Sequence, residues 1–276
     1  MGNRVASPRL TVSPQPASTL DFDEMALCPP ETLELVRRQG TAYDAALPWP
    51  RYVLDRWLTP ALEAVMLSPP AARVPLTAPW IADLVAGRTP PALLDALRDA
   101  LDPGRAYFVR TSMCSTKVGA RPAPARGAAE VVAQVLASER CLAALATPRI
   151  EHSLWLLPWE EGCDIMREFR VFIKGGRVVA LAPYYCAVPL PWLGDVETAT
   201  AVGRAVLCFF EDHIVGQIEF EEAVMDVIYL ETGEVRLIEF NPLLTSGGGL
   251  FSWVKDRDLL AGKEKNVVLR FVQDDY

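Results

Sequence analysis

The sequence predicts an α+β fold built on antiparallel strand pairs, and three observations carry that expectation. Two β-rich runs flank Gly175-Gly176 and two more flank Thr232-Gly233, the composition of tight hairpins. Helical patterns occupy residues 91–100, 128–145 and 196–214. The 276 residues are 51% hydrophobic, ample for a core, and could form one large or two small domains.

Residues 1–20 are rich in Pro, Ser and Thr with no apolar block, so they read as a disordered tail rather than a signal peptide. Residues 21–100 read as a mainly helical N-terminal region punctuated by proline. Pro29-Pro30 before Glu31 has the composition of a helix start, and Pro90-Pro91 opens an amphipathic helix to about Ala100. Trp49, Tyr52 and Trp57 read as core packing, with a partner surface as the other reading.

Next comes the stretch of residues 101–158. It starts with RAYFVRTSMCSTKVGA, a β-run that breaks into small polar residues, so Arg110 ends a strand and Lys117 sits in a loop. Small residues let backbone approach a polyphosphate closely while cations offset its charge; a solvated surface loop is equally open. Residues 128–145 read as one helix, on which Arg140 reads as a surface ion-pair residue. SLWLLPW, residues 153–159, reads as a buried strand entering Glu160.

Residues 159–276 follow. About Gly175-Gly176 a two-residue turn would put Arg170 opposite Leu181, well inside a sheet. An arginine there needs an anion, either Glu168 on the same face or the phosphate of a ligand. Residues 196–214 read as a helix, with His213 a capping or surface residue, and residues 267–272 as a last strand. If Glu231 pairs with Glu234 across Thr232-Gly233, then Asp226 lies opposite Glu239, and Asn241 points from the same side. Facing carboxylates repel. A hard divalent cation would compensate, because such oxygens suit Mg²⁺ alongside nucleotide phosphates. A shared proton, or two positions in water, explains the pair as well. Ser246 to Gly249 permits either close ligand approach or a plain turn.

Composition excludes several classes. A formal net charge of −8 does not favour DNA or anionic membrane as partners, and no segment has the apolar length of a membrane span. Six cysteines lack C-x-x-C spacing and only two histidines accompany them, which argues against a zinc site and a disulfide framework. Cytoplasmic residence is the default expectation.

Glu239-Phe240-Asn241-Pro242, with an acidic residue on the preceding strand, resembles the metal-binding end of the ATP-grasp superfamily. Within that superfamily LIEFNPLLTSGGGLFSW, Glu168-Phe169-Arg170 and the segment from Val74 to Leu84 are similar to the cell division cycle protein 123 family. The resemblance implies an ATP-grasp fold, two α+β subdomains (residues 101–158 and 159–276) with antiparallel sheets clamping ATP, plus the N-terminal helical extension. It implies ATP and Mg²⁺ as cofactors, with Asp226, Glu239 and Asn241 as metal ligands. Arg110, Lys117 and Arg170 would contact phosphate, and Leu157, Trp159 and Glu160 would flank the adenine pocket. Thr116 and Val118 stand where the family commonly has proline and an acidic residue, and the triple glycine is a second departure. Two functions follow from the resemblance. One is an ATP-dependent ligase acting through an acylphosphate on a small carboxylate, amine or peptide acceptor, with Arg170 and Lys117 stabilising the transferring phosphoryl group. The other is a non-catalytic assembly chaperone for the GTPase γ subunit of translation initiation factor 2.

Overall fold

The computed structural model describes residues 9–20, 49–117, 123–147 and 150–274; the expected helix start at Pro29-Pro30 and position 118 lie outside them. Among these residues the strands are β1 (Leu10–Pro16), β2 (Ala72–Pro75), β3 (Tyr107–Thr111), β4 (Ser153–Pro158), β5 (Glu168–Lys174), β6 (Arg177–Pro183), β7 (Ala223–Tyr229), β8 (Val235–Asn241) and β9 (Val267–Gln273). The longer helices are α1 (Ala78–Val85), α2 (Pro91–Ala100), α3 (Ala128–Ala137), α4 (Glu139–Leu145) and α5 (Val196–Phe209). They divide into two units, residues 49–64 and 68–162 in one, 9–20, 65–67 and 163–274 in the other. The chain therefore passes between units more than once, and the boundary expected after residue 158 falls after Gly162 instead. Within the region expected as a helical extension, residues 72–75 are instead β2, a strand of the smaller sheet.

The smaller unit carries a three-stranded antiparallel sheet in the order β2-β4-β3. Thr77 opens α1 by accepting from the Trp80 amide at 3.4 Å, with a proline in the first turn. Leu84, Leu93, Leu97, Val131 and Val135 are buried at the core, as are Tyr52 and Trp57, in line with the core reading of those aromatics. The helix expected over 128–145 is broken at Ser138, whose backbone is extended (φ −103°, ψ 97°). Its carbonyl accepts from the Cys141 and Leu142 amides and so begins α4, the helix-start position that serine favours over a helix interior.

The larger unit is a six-stranded sheet ordered β1-β9-β6-β5-β7-β8, with β9 parallel to both its neighbours and the other pairs antiparallel. Residues 10–16, expected as disordered, are its edge strand. Their partner β9 lies at the far end of the sequence, where local composition could not reveal it, and an edge tolerates the missing N–H groups of Pro14 and Pro16. Leu10 packs over Gly203 of α5, where a Cβ would stand 2.7 Å from its Cδ2. Beyond α5 the helix expected to reach Ile214 continues as a π-helical turn, Phe210–Ile214.

Both hairpins are irregular, and the irregularities decide which side chains meet. Between β7 and β8 the loop has three residues, not two. The Leu230 amide donates to Glu234 O, the Gly233 amide to Leu230 O, and Gly233 takes φ 86°. That displaces the pairing, so Val227 faces Leu237, but a bulge at Ile238 restores it and Asp226 does face Glu239. Between β5 and β6 the two-residue turn forms as expected, with Lys174 facing Arg177 and both glycines at positive φ. Here a bulge then shifts the register, and Arg170 lies opposite Ala182 rather than Leu181.

Candidate functional site

Arg170, Asp226 and Glu239 are paired in register across β5, β7 and β8, so the three side chains form one row on one sheet face. Asn241, two residues past Glu239, lies on the same face. Asp226 is fully buried. Its Oδ1 accepts from Arg170 Nε at 3.1 Å and its Oδ2 from Arg170 Nη2 at 3.2 Å and from Asn241 Nδ2 at 3.0 Å. Asn241 Nδ2 also donates to Glu239 Oε1 at 3.2 Å, so one amide bridges the two facing carboxylates.

The charge that offsets Asp226 is therefore a guanidinium, in the paired fork geometry that suits a carboxylate. Of the two partners weighed for Arg170, Glu168 is a nearby charge, while the bidentate hydrogen bonds run to Asp226. Burial pulls the Arg170 pKa down. The Asp226 charge and hydrogen bonds, with Tyr184 and Glu168 behind them, outweigh it and hold Arg170 above its ordinary range.

The surrounding loop presses close. Arg170 Nη1 donates to Gly247 O at 3.4 Å and its guanidinium lies 4.6 Å over the Tyr184 ring. Gly248 has no room for a side chain, because a Cβ would sit 2.0 Å from Phe251 O. The triple glycine thus serves close approach of the chain to itself. Trp253 Nε1 donates to Ser246 O at 3.2 Å, and Phe251 and Trp253 pack edge-on against Phe172. Tyr184 and the Gly247 carbonyl were not among the residues expected from sequence. A Tyr-Tyr pair after a strand carries no pattern, and a backbone acceptor leaves no trace in residue identity.

Five expected residues lie in the smaller unit. Arg110 is 2% exposed on β3, opposite Trp155, and shares one sheet face with Phe108 and Leu157. After Thr111 the chain turns tightly. The Thr111 hydroxyl accepts from the Met113 and Cys114 amides, and Thr116 folds back so that its amide and hydroxyl both donate to Val109 O. Lys117, half-buried, ends this turn. Trp159 extends the β4 ladder through its amide to Ala106 O at 2.9 Å, and Glu160 is exposed.

Two carboxylates and an amide are hard oxygen donors of the kind Mg²⁺ takes together with phosphates. A carboxylate has about four acceptor positions, and three of Asp226's are occupied by the bonds described. The donor set fits the ion, provided the Asn241 amide turns its oxygen toward the carboxylates. Among the described residues no three His, Cys, Asp or Glu side chains converge on a metal position.

The D123 family profile matches residues 128–276, which takes in the whole Arg170–Asn241 row. A translation initiation factor eIF2 assembly protein of Danio rerio is 32% identical over 117 residues, 42% of this chain and 32% of that protein. The chain thus aligns with about a third of that relative's length. Cdc123 from Schizosaccharomyces pombe superposes with a TM-score of 0.65 at 16% identity, covering 80% of this chain and 95% of that one. A C-terminally truncated Cdc123 from the same organism gives 0.63. The mixed α+β fold with mainly antiparallel sheets is shared with Cdc123.

Proposed function

We propose, from the premise that this chain belongs to the D123 family, that it binds Mg²⁺-ATP in the ATP-grasp manner. The observation that carries the reading is the row itself, a half-buried arginine beside two facing carboxylates and an amide on one sheet face. Asp226, Glu239 and Asn241 would hold the ion, which when bound screens phosphate charge. Arg170 keeps N–H groups beyond those on Asp226 and Gly247, and a guanidinium is suited to phosphate oxygens. Its pairing with Asp226 holds it extended across the strands before any ligand arrives. Arg110 and Lys117 as phosphate contacts, and Leu157, Trp159 and Glu160 beside the purine, are proposed on the family resemblance alone.

The name of the Danio rerio relative supports an assembly role with a translation initiation factor as partner, and cytoplasmic residence is proposed along with that role. Among the described residues no helix is long and apolar enough to cross a membrane. The ligase reading uses the same site and adds an acceptor carboxylate, with Arg170 and Lys117 stabilising developing phosphoryl charge.

Calorimetric titration of ATP with and without Mg²⁺ tests the binding claim. The wild type should bind in a Mg²⁺-dependent manner, and Glu239→Gln should lose that dependence. Unchanged affinity in Glu239→Gln and Arg170→Lys together sinks the assignment. ADP release in the presence of carboxylates and amines marks a ligase, whereas co-purification of the initiation-factor GTPase subunit without turnover marks an assembly factor.

A further inference from the structure

Two sulfur atoms meet in the smaller unit, and the nucleotide reading uses neither. Cys114 lies in the turn after β3 and Cys141 in α4, and their Sγ atoms are 3.7 Å apart, which is van der Waals contact with no atom between. Both are buried thiols, 27 positions apart in sequence. Cys114 Sγ also lies 3.7 Å from Thr111 Oγ1 and 3.7 Å from Arg140 O, and Cys141 Sγ lies 3.4 Å from Ser115 O.

The two thiols are unequal. The Cys141 hydrogen bond to its sulfur holds the Cys114 thiol down to about 6 against the effect of burial, helped by the Arg140 charge and the Thr111 hydroxyl. The same bond and burial push Cys141 up, so Cys114 is the member of the pair that gives up its proton first. One ionised and one protonated thiol in contact is the arrangement in which the first attacks an oxidant and the second resolves the product.

We propose that Cys114 and Cys141 are a redox-active pair that hydrogen peroxide or a like hydroperoxide closes to a disulfide, tying the turn that ends at Lys117 to α4. In the first step the Cys114 thiolate attacks one peroxide oxygen. The O–O bond breaks and the departing hydroxide takes a proton to leave as water, with Cys114 as the sulfenic acid. In the second step the Cys141 sulfur attacks Cys114, the S–S bond forms, the S–O bond breaks, and water leaves with the Cys141 proton. Two thiols are oxidised by two electrons and one peroxide is reduced to two waters. In the reduced protein the turn is fixed to β3 by backbone bonds such as Thr111 N to Cys114 O at 2.8 Å. The disulfide adds a covalent link from the same turn to a helix.

The experiment uses the full chain, titrated with hydrogen peroxide, quenched with N-ethylmaleimide and mapped by mass spectrometry. The expected result is a Cys114–Cys141 linked peptide, lighter by two hydrogens and restored by dithiothreitol, at a lower peroxide dose than oxidises the exposed Cys208. Cys141→Ser should instead leave a sulfenic acid at Cys114 that dimedone traps. Tryptic cleavage after Lys117 should be several-fold slower in the oxidised protein. The pair is refuted if both cysteines of the wild type remain alkylated while Cys208 is oxidised, a mapping that needs no variant to fold. Equal cleavage rates with the disulfide formed would overturn the tethering.

Discussion

Arg170 holds both carboxylate oxygens of Asp226 at 3.1 and 3.2 Å, and neither residue could sit inside this sheet without the other. Removing one partner of such a pair leaves a buried charge and costs about 3–5 kcal/mol. Arg170→Met and Asp226→Leu should each lower stability on that scale in urea denaturation. The double variant should be more stable than the sum of the two losses implies. Strict additivity would show that the pair is not coupled.

Asn241 bridges Asp226 and Glu239 through one amide nitrogen, so its replacement acts on both. Asn241→Asp exchanges two hydrogen bonds for a third negative charge and should cost about 1–3 kcal/mol without metal. Millimolar Mg²⁺ should restore part of the loss in a thermal melt, while wild type moves less. A variant indifferent to Mg²⁺ would argue against a cation position here.

His152 gives a pH signature. Burial lowers its pKa below the usual 6.5, although its ring faces the Thr147 carbonyl at 3.2 Å. The unfolded chain then takes up the proton at higher pH than the native state does, so stability rises with pH in that interval. The contribution is complete above about pH 6.5 and is lost as pH falls through the folded value. Urea midpoints of wild type should fall as the pH drops below about 6.5. His152→Gln should flatten that slope.

Gly248 and Gly203 separate two kinds of crowding. At Gly248 an added methyl meets the Phe251 carbonyl oxygen at 2.0 Å, a backbone atom that cannot move alone. At Gly203 it meets the ends of Leu10 and Leu269 at 2.7 and 2.9 Å, which can change rotamer. Overpacking costs about 1–3 kcal/mol. Gly248→Ala should fall at or above the top of that range and disturb the loop over Arg170, while Gly203→Ala stays near the bottom. Denaturation of both variants in parallel checks the order.

Removal of residues 1–16 should lower the melting temperature and promote association, because it strips β1 from β9 and leaves an unpaired strand edge. Scattering or sizing of the truncated chain shows the association directly.

Local chemistry made much of this protein legible in its sequence. Glycine-centred hairpins, the α2 start at Pro90-Pro91 and the last strand all follow from short-range pattern. The facing of Asp226 and Glu239 was inferred from a two-residue loop, yet it arises from a three-residue loop and a bulge whose displacements cancel. The same reasoning at Gly175-Gly176 predicted the turn correctly and missed the bulge beyond it, which moved Arg170 by one partner. Bulges depend on what packs against the strand, and hairpin composition does not record that.

Long-range partners were the other blind spot. Nothing in LTVSPQP announces a strand until β9 is brought beside it, and the Arg170–Asp226 pair joins strands that are not a hairpin. Two facing carboxylates call for a neutralising charge, and a divalent cation is one that composition suggests. The answer in the fold includes an arginine already singled out for a different duty.

The parallel pairing of β1 with β9 also bears on how the molecule comes into being. As the chain leaves the ribosome, Leu10 emerges far ahead of its partner Val267. Its hydrogen-bonding groups must wait in water until Val267 has been made, and closing so long a loop is the slow kind of folding event. The six-stranded sheet is therefore sealed late, and a stalled nascent chain would display the bare rim of an unfinished sheet.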